Sequence, residues 1–217
     1  MKLRLYHGSK AGLDGAISPE RGNAAADFGA GFYLGTDSHQ PQTLICGGPS
    51  PVLYAAECDF EGLKVFSFEP GLDWALFVAF CRNLLEDFAE TSFYRRYREI
   101  RDTHDVIFGK IANDRIFNTV QAFFRGEITD AVLTRSLAAL NLGDQYCAKT
   151  AAACGRIEIV DSRMLTAAEC EALGVKAENQ RARAIRETKR IRDQYRREGV
   201  FFDEILERMA KEGSTCP

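Results

Sequence analysis

Asp27-Phe28-Gly29-Ala30-Gly31-Phe32-Tyr33-Leu34-Gly35-Thr36-Asp37 is the stretch on which the reading of the chain turns. Its eleven residues hold three glycines and three aromatics. Gly29 and Gly31 have no Cβ, so the backbone there can take positive φ or lie against a ligand. Phe32-Tyr33-Leu34 then reads as a short strand, apolar and rich in the aromatics that suit a pleated surface. A glycine turn feeding a stiff aromatic strand sets a ring face beside bare backbone, which suits a flat polar heterocycle. A tight hairpin turn with ordinary core aromatics accounts for the same residues, and the stretch alone leaves both readings open.

On its N-terminal side, Leu3-Arg4-Leu5-Tyr6 alternates as a strand that His7-Gly8-Ser9-Lys10 ends, and Gly12 to Gly22 is turn-rich. On the other side, Gly47-Gly48-Pro49-Ser50-Pro51 reads as loop, and 51–60 and 63–66 as strands. Asp73 is expected to cap an apolar helix that starts at Trp74 and runs past Arg82. Residues 83–103, centred on Tyr94-Arg95-Arg96-Tyr97-Arg98, read as the solvated face of a helix. A buried strand is expected over 105–111. Asn113 or Asp114 caps a helix through Phe124 that Gly126 stops. Thr129-Asp130 opens a helix to Leu140, and 145–149 and 156–160 are strands.

From about Met164 the chain turns helical and charged, which divides it into a domain over 1–163 and a tail over 164–217. Between Lys176 and Glu198 nine basic residues face four acidic ones, a net of +5 that leaves −8 for the rest of a chain of formal charge −3. That segment reads as an exposed helix laced with i,i+4 pairs, or as a contact for an acidic partner or a phosphate backbone. Val200-Phe201-Phe202 with Ile205, Leu206 and Met209 makes an amphipathic helix that should dock on a core.

Bulk properties exclude several classes. At 217 residues and 46% hydrophobic content, one core-bearing domain with an appendage is expected. The negative net charge argues against nucleic acid over the whole surface, though not over one face. Seven cysteines include no C-x-x-C pair and only three histidines occur, none at ligand spacing, so no metal is expected. The scattered cysteines are read as unpaired and suit a reducing cytosol. Met1 to Tyr6 lacks the apolar core of a signal peptide, and no run is long enough to span a bilayer. A cytoplasmic protein with no membrane partner is the resulting expectation.

Three pieces line up in order, each on an expected strand or its mouth: Tyr6-His7-Gly8-Ser9, Gly29-Ala30-Gly31-Phe32-Tyr33, and Asp144-Gln145-Tyr146. In this the chain resembles the ADP-ribosyltransferase superfamily, on the diphtheria-toxin and poly(ADP-ribose)-polymerase side. The nearer resemblance is to a bacterial branch, the domain of unknown function 3990 family. Val106-Ile107-Phe108-Gly109-Lys110-Ile111-Ala112-Asn113-Asp114 and Tyr195-Arg196-Arg197-Glu198-Gly199-Val200-Phe201 fit that branch as well. The resemblance implies an α+β fold: a split pair of small antiparallel sheets around an NAD cleft, with helices and a helical tail.

It also implies roles. His7 would hold the adenosine-side ribose of NAD through a ring nitrogen. The backbone of Gly8 would pair with the nicotinamide carboxamide, and Ser9 would add a hydroxyl at the same edge. Tyr33 would stack on the nicotinamide, by aromatic and cation–π attraction. Tyr6, Phe28, Gly29, Gly31 and Phe32 complete the implied binding set, with Phe28 or Phe32 as candidates for a second aromatic wall. His7, Tyr33 and Gln145 are the implied catalytic residues. Gln145 stands where the wider superfamily has Glu. It accepts a hydrogen bond from a ribose 2′-hydroxyl but brings no charge and no base. Asp144, next door, should face the other way by strand alternation.

The implied activity is a single transfer of ADP-ribose from NAD to a macromolecule, protein in preference to nucleic acid. Family context adds a toxin or effector held in check by a small antitoxin-like protein. Gln145 keeps a non-catalytic NAD or ADP-ribose binding module in play, and the basic helix an interaction protein with a relic cleft.

Overall fold

β1 (Leu3–Ser9) runs past the strand end expected at Tyr6, because its whole length pairs antiparallel with β3 (Val52–Cys58), from Leu3 opposite Cys58 to Ser9 opposite Val52. The computed structural model describes residues 2–112, 114–139 and 143–211, the side chains of 114–116, 181 and 209–211 aside. The expected cap at Asn113, the helix end at Leu140 and the Met209 side chain lie outside that description. The other strands are β2 (Phe32–Gly35), β4 (Val65–Ser67), β5 (Val106–Lys110), β6 (Asp144–Ala148) and β7 (Ile157–Met164). They form a single seven-stranded sheet in the order β4-β5-β6-β2-β1-β3-β7. Only β4 and β5 run parallel. The fold is α+β, and the split pair of sheets is corrected to one sheet with a weak joint, described below.

One face of the sheet carries most of the helices, and the short helix over Ala151–Cys154 packs on the other. α2 (Leu72–Cys81) is buried at every residue from Trp74 to Cys81, as a helix apolar all round must be. Its expected cap is corrected. Asp73 sits inside the first turn, after Gly71, and its carboxylate accepts from Arg96 at 2.5 and 2.9 Å and from the Tyr97 hydroxyl at 2.7 Å. The helix also stops sooner than expected, at Cys81, where Asn83 takes a φ of 60°. α3 (Ser92–Thr103) is solvated only on one side, since Phe93, Tyr97 and Ile100 are buried. α4 (Asp114–Phe124) and α5 (Asp130–Ala139) complete this layer.

A helix unseen in the glycine-rich region, α1 (His39–Ile45), covers the β1–β2 end of the same face; Pro41 is its third residue, where a proline is tolerated. The short α6 (Ala151–Cys154) leads into β7. The long α7 (Ala167–Tyr195) begins with a capping box between Thr166 and Glu169. α8 (Phe202–Lys211) returns the chain to the helical core, where Ile191, Phe202 and Ile205 are buried.

The expectation of unpaired cysteines is also corrected. Cys46, just after α1, and Cys170, in the first turns of α7, form a disulfide across 124 residues. Cys58, Cys81, Cys147 and Cys154 are free and buried. Burial pushes the first three thiols up to about 12 and Cys154 up to about 11, so none is a ready thiolate.

Candidate functional site

β1 and β2 share one register pair, Tyr6 opposite Gly35, whereas every other pair of neighbours in the sheet shares at least three. The sheet is thus two ladders, β4-β5-β6-β2 and β1-β3-β7, joined at a point. From that point toward Ser9 and Phe32 the register stops, leaving a seam between Gly8-Ser9 and Phe32-Tyr33.

His7 bridges the seam with its side chain. Its Nδ1 lies 2.8 Å from the Tyr33 carbonyl oxygen, and its ring stacks on Phe32 with centroids 4.2 Å apart. A carbonyl only accepts, so Nδ1 carries the proton, and in the neutral ring Nε2 is left as an acceptor. Among the described residues no polar group bonds to Nε2.

Burial lowers the His7 pKa below the ordinary 6.5, against the pull of the Tyr33 carbonyl toward the cation. In the window just below 6.5 the unfolded chain therefore holds a proton at His7 that the folded chain does not. Stability should rise with pH through this window and reach its full value above it. Denaturant unfolding at about pH 5.5 and about pH 7.5 checks this. The loss on acidification should shrink in His7→Gln, and equal losses in both proteins would assign it elsewhere.

Strand alternation sorts the remaining residues. His7 shares a face with Phe32, Leu34, Leu5 and Ala56, over a cluster that Leu13 and Ile17 cover. Tyr33 lies opposite Cys147 and Gly35 opposite Gln145, so these four share the other face, the one that carries most of the helices. The implied NAD cleft, with His7 on the ribose and Tyr33 on the nicotinamide, is corrected in one respect: the two side chains leave the sheet on opposite sides. Tyr33 and Gln145 do share a face. Asp144 points away from Gln145, as alternation requires, and pairs with Lys110 at 2.7 Å.

Several implied ligand contacts are already used by the chain itself. The Tyr33 hydroxyl accepts from the Phe28 amide at 2.9 Å and donates to the Gly29 carbonyl at 2.7 Å, stapling the turn before its own strand. Burial holds this phenol well above its ordinary range, so it remains a donor. Lys149 Nζ ties down the same turn through the Phe28 and Ala30 carbonyls, at 2.8 and 2.5 Å. Gly29 has a φ of 76°, which explains the residue without a ligand. A Cβ on Gly31 would run into Cys147 Sγ, and one on Gly8 would meet the Pro41 carbonyl oxygen at 2.7 Å. α1 therefore rests on Gly8. Ser9 Oγ donates to the Gly12 carbonyl at 2.6 Å, and Tyr6 packs beside Ile45 and Leu53. Phe28 is fully buried near Phe77, and Phe32 lies under His7, so neither is an open aromatic wall.

The residue that binds this region together is Asp27. Its carboxylate accepts from Arg82 Nη2 at 2.5 Å, from the Ala112 amide at 2.8 Å and from Gln145 Nε2 at 2.8 Å. Sequence reasoning misses it because these partners lie 55, 85 and 118 residues away. Its one local signal is a lone carboxylate directly before the glycine turn. Among the described residues no group of three or more His, Cys, Asp or Glu is placed to hold a metal, and no helix is long and apolar enough to cross a membrane.

A family model described as "Protein of unknown function (DUF3990)" matches residues 3–159. No curated protein and no solved structure matches the chain.

Proposed function

Taking as premise that the chain belongs to the DUF3990 family, we propose that it binds NAD at the β1–β2 seam and transfers ADP-ribose to a macromolecular acceptor. The observation that carries this reading is the seam itself. Among the described residues it leaves the facing backbone of two central strands without register partners, with His7, a neutral acceptor at Nε2, on one face and Tyr33 on the other, and Gln145 lies on the Tyr33 face in the strand beyond β2. A dinucleotide is long enough to use both faces. Its adenosine ribose would donate a hydroxyl to His7. Its nicotinamide end would lie along Gly8 and Tyr33, with α1 displaced from Gly8.

The chemistry asks little covalent work of the protein. The C1′–N1 bond of NAD breaks with its electrons going to the pyridinium nitrogen, so nicotinamide leaves neutral and a ribosyl oxocarbenium ion remains. An acceptor nucleophile then bonds to C1′ and loses its proton. The residues of the seam hold the ribose, keep the leaving group oriented and exclude water. Gln145 accepts from the 2′-hydroxyl without supplying charge, which fits one transfer rather than chain extension.

Purified protein incubated with NAD labelled in its adenylate half, plus lysate, should release nicotinamide and label a macromolecule. His7→Ala and Tyr33→Ala should each lower nicotinamide release by about 100-fold, the scale for misplaced reacting groups. Melting curves identify any variant that has lost its fold. Folded variants with wild-type release, or wild-type protein that neither binds nor cleaves NAD, would refute the reading.

One observation favours a second reading, an NAD or ADP-ribose binding module. Gln145 is uncharged, and its Nε2 is committed to Asp27 and to the Lys110 carbonyl at 3.3 Å. Calorimetric binding of NAD without nicotinamide release would select this alternative.

A further inference from the structure

Resting on the reading of Gln145 as the ribose contact, we propose that Asp27 is a positioning residue: it locks the Gln145 carboxamide so that Oε1, and not the NH₂ group, is offered to the substrate.

Asp27 is 7% exposed, and the described hydrogen-bond partners of its carboxylate are all donors. Oδ1 takes the Arg82 guanidinium, which also reaches the Ala112 carbonyl at 3.1 Å. Oδ2 takes the Ala112 amide and Gln145 Nε2. The second acceptor for Nε2 is the Lys110 carbonyl. A primary amide has two N–H groups, and here acceptors wait for both on the same side of the side chain. Turning the amide over would aim Oε1 at a carboxylate and a carbonyl, lone pair against lone pair. The orientation of Gln145 is therefore set by Asp27 and Lys110, and Oε1 has no donor among the described residues. The Asp27 charge is also felt at the Tyr33 phenol and the Cys147 thiol, which places the carboxylate within the same cluster.

Asp27→Asn is the informative change, because it keeps the shape. Arg82 remains cationic and holds the one remaining side-chain oxygen, so the NH₂ group that the substitution introduces faces Gln145 and also the Ala112 amide, which loses its acceptor. The Gln145 amide must then turn over and give its Oε1 to that NH₂ group. D27N should lower kcat for nicotinamide release by about 10–100-fold, the scale for losing an outer partner of a ligand-binding side chain, with KM for NAD changed far less. Adding Q145E should restore it. A carboxylate accepts at both ends, so in the double variant one of its oxygens takes the introduced donor and the other takes the ribose hydroxyl. Q145E alone is the reference, because a Glu there adds charge whatever Asp27 does: a merely structural Asp27 would make D27N cost as much in the Q145E background as in the wild type, and that result, with the proteins folded by circular dichroism, overturns the proposal.

The ¹⁵N side-chain amide resonances of Gln145, assigned by their loss in Q145E, give a readout free of activity. Both amide protons should exchange with solvent slowly in the wild-type chain, because each has an acceptor, and exchange as fast as that of an exposed Gln would overturn the proposal even if D27N fails to fold. Should wild-type protein release no nicotinamide, the function proposed above fails. The locked amide then still stands or falls on its resonances.

Discussion

Phe202→Ala is expected to destabilise the chain by about 3–5 kcal/mol, while Phe201→Ala, one residue earlier, costs well under about 1 kcal/mol. Phe202 is 5% exposed, and its ring meets Phe124 at 4.5 Å and Phe88 and Phe123 at 5.5 Å, all near edge-on. Truncation removes that contact area and leaves a cavity among aromatics that belong to the main core. Phe201 is 37% exposed and points outward. The polar connection into α8 reinforces the placement. Asp130 accepts from the Val200 amide at 2.8 Å and donates its own amide to the Val200 carbonyl at 3.0 Å. Gly199, with a φ of 82°, allows this approach because a Cβ would collide with the Asp130 carboxylate. Arg135 pairs with Glu198 at 2.9 Å and lies 3.9 Å over the Tyr195 ring. Urea denaturation of the two variants measures the contrast. Equal, small effects would make the last helix an arm and not part of the core.

Breaking the Cys46–Cys170 disulfide is expected to cost about 4–5 kcal/mol, because it closes a very long loop and so removes much of the freedom of the unfolded chain. For a chain of this size that corresponds to a fall in Tm of roughly 10 °C or more. Thermal unfolding with and without reductant, with Cys46→Ser as control, tests it; identical curves would show that the bond contributes nothing. The bond fastens α1 to the start of α7, and α1 is the element resting on Gly8. The reduced protein should therefore exchange the α1 amides faster than the oxidised one, more than it does those of α2.

Much of the architecture can be read locally. Alternation and β-favouring residues mark β1, β2, β3, β5 and β6, and Gly126 ends α4 where expected, with a φ of 68°. What stays hidden depends on partners distant in sequence. Asp73 looks like a cap until Arg96 and Tyr97 claim its carboxylate. α1 is masked by Pro41 and by the glycines that follow it. Sheet order carries no local signal, so the split pair of sheets rested on the resemblance alone, and one sheet with a single-pair joint occurs. At the candidate site, His7, Tyr33 and Gln145 are legible as residue types in a familiar order. Their faces are not, because register decides which side of a sheet a residue leaves from. Asp27 is invisible for the same reason as the disulfide.

The strand order has a consequence during synthesis. β2 holds β1 at one position only, and its full neighbour, β6, comes more than a hundred residues later. At ribosomal speeds of about 5–20 residues per second, the apolar edge at Phe32 and Leu34 waits roughly 5–20 seconds for its partner. The nascent chain thus presents an unpaired sticky strand throughout that interval. Chaperone occupancy on the ribosome should begin once that strand emerges and fall when Ala148 clears the exit tunnel.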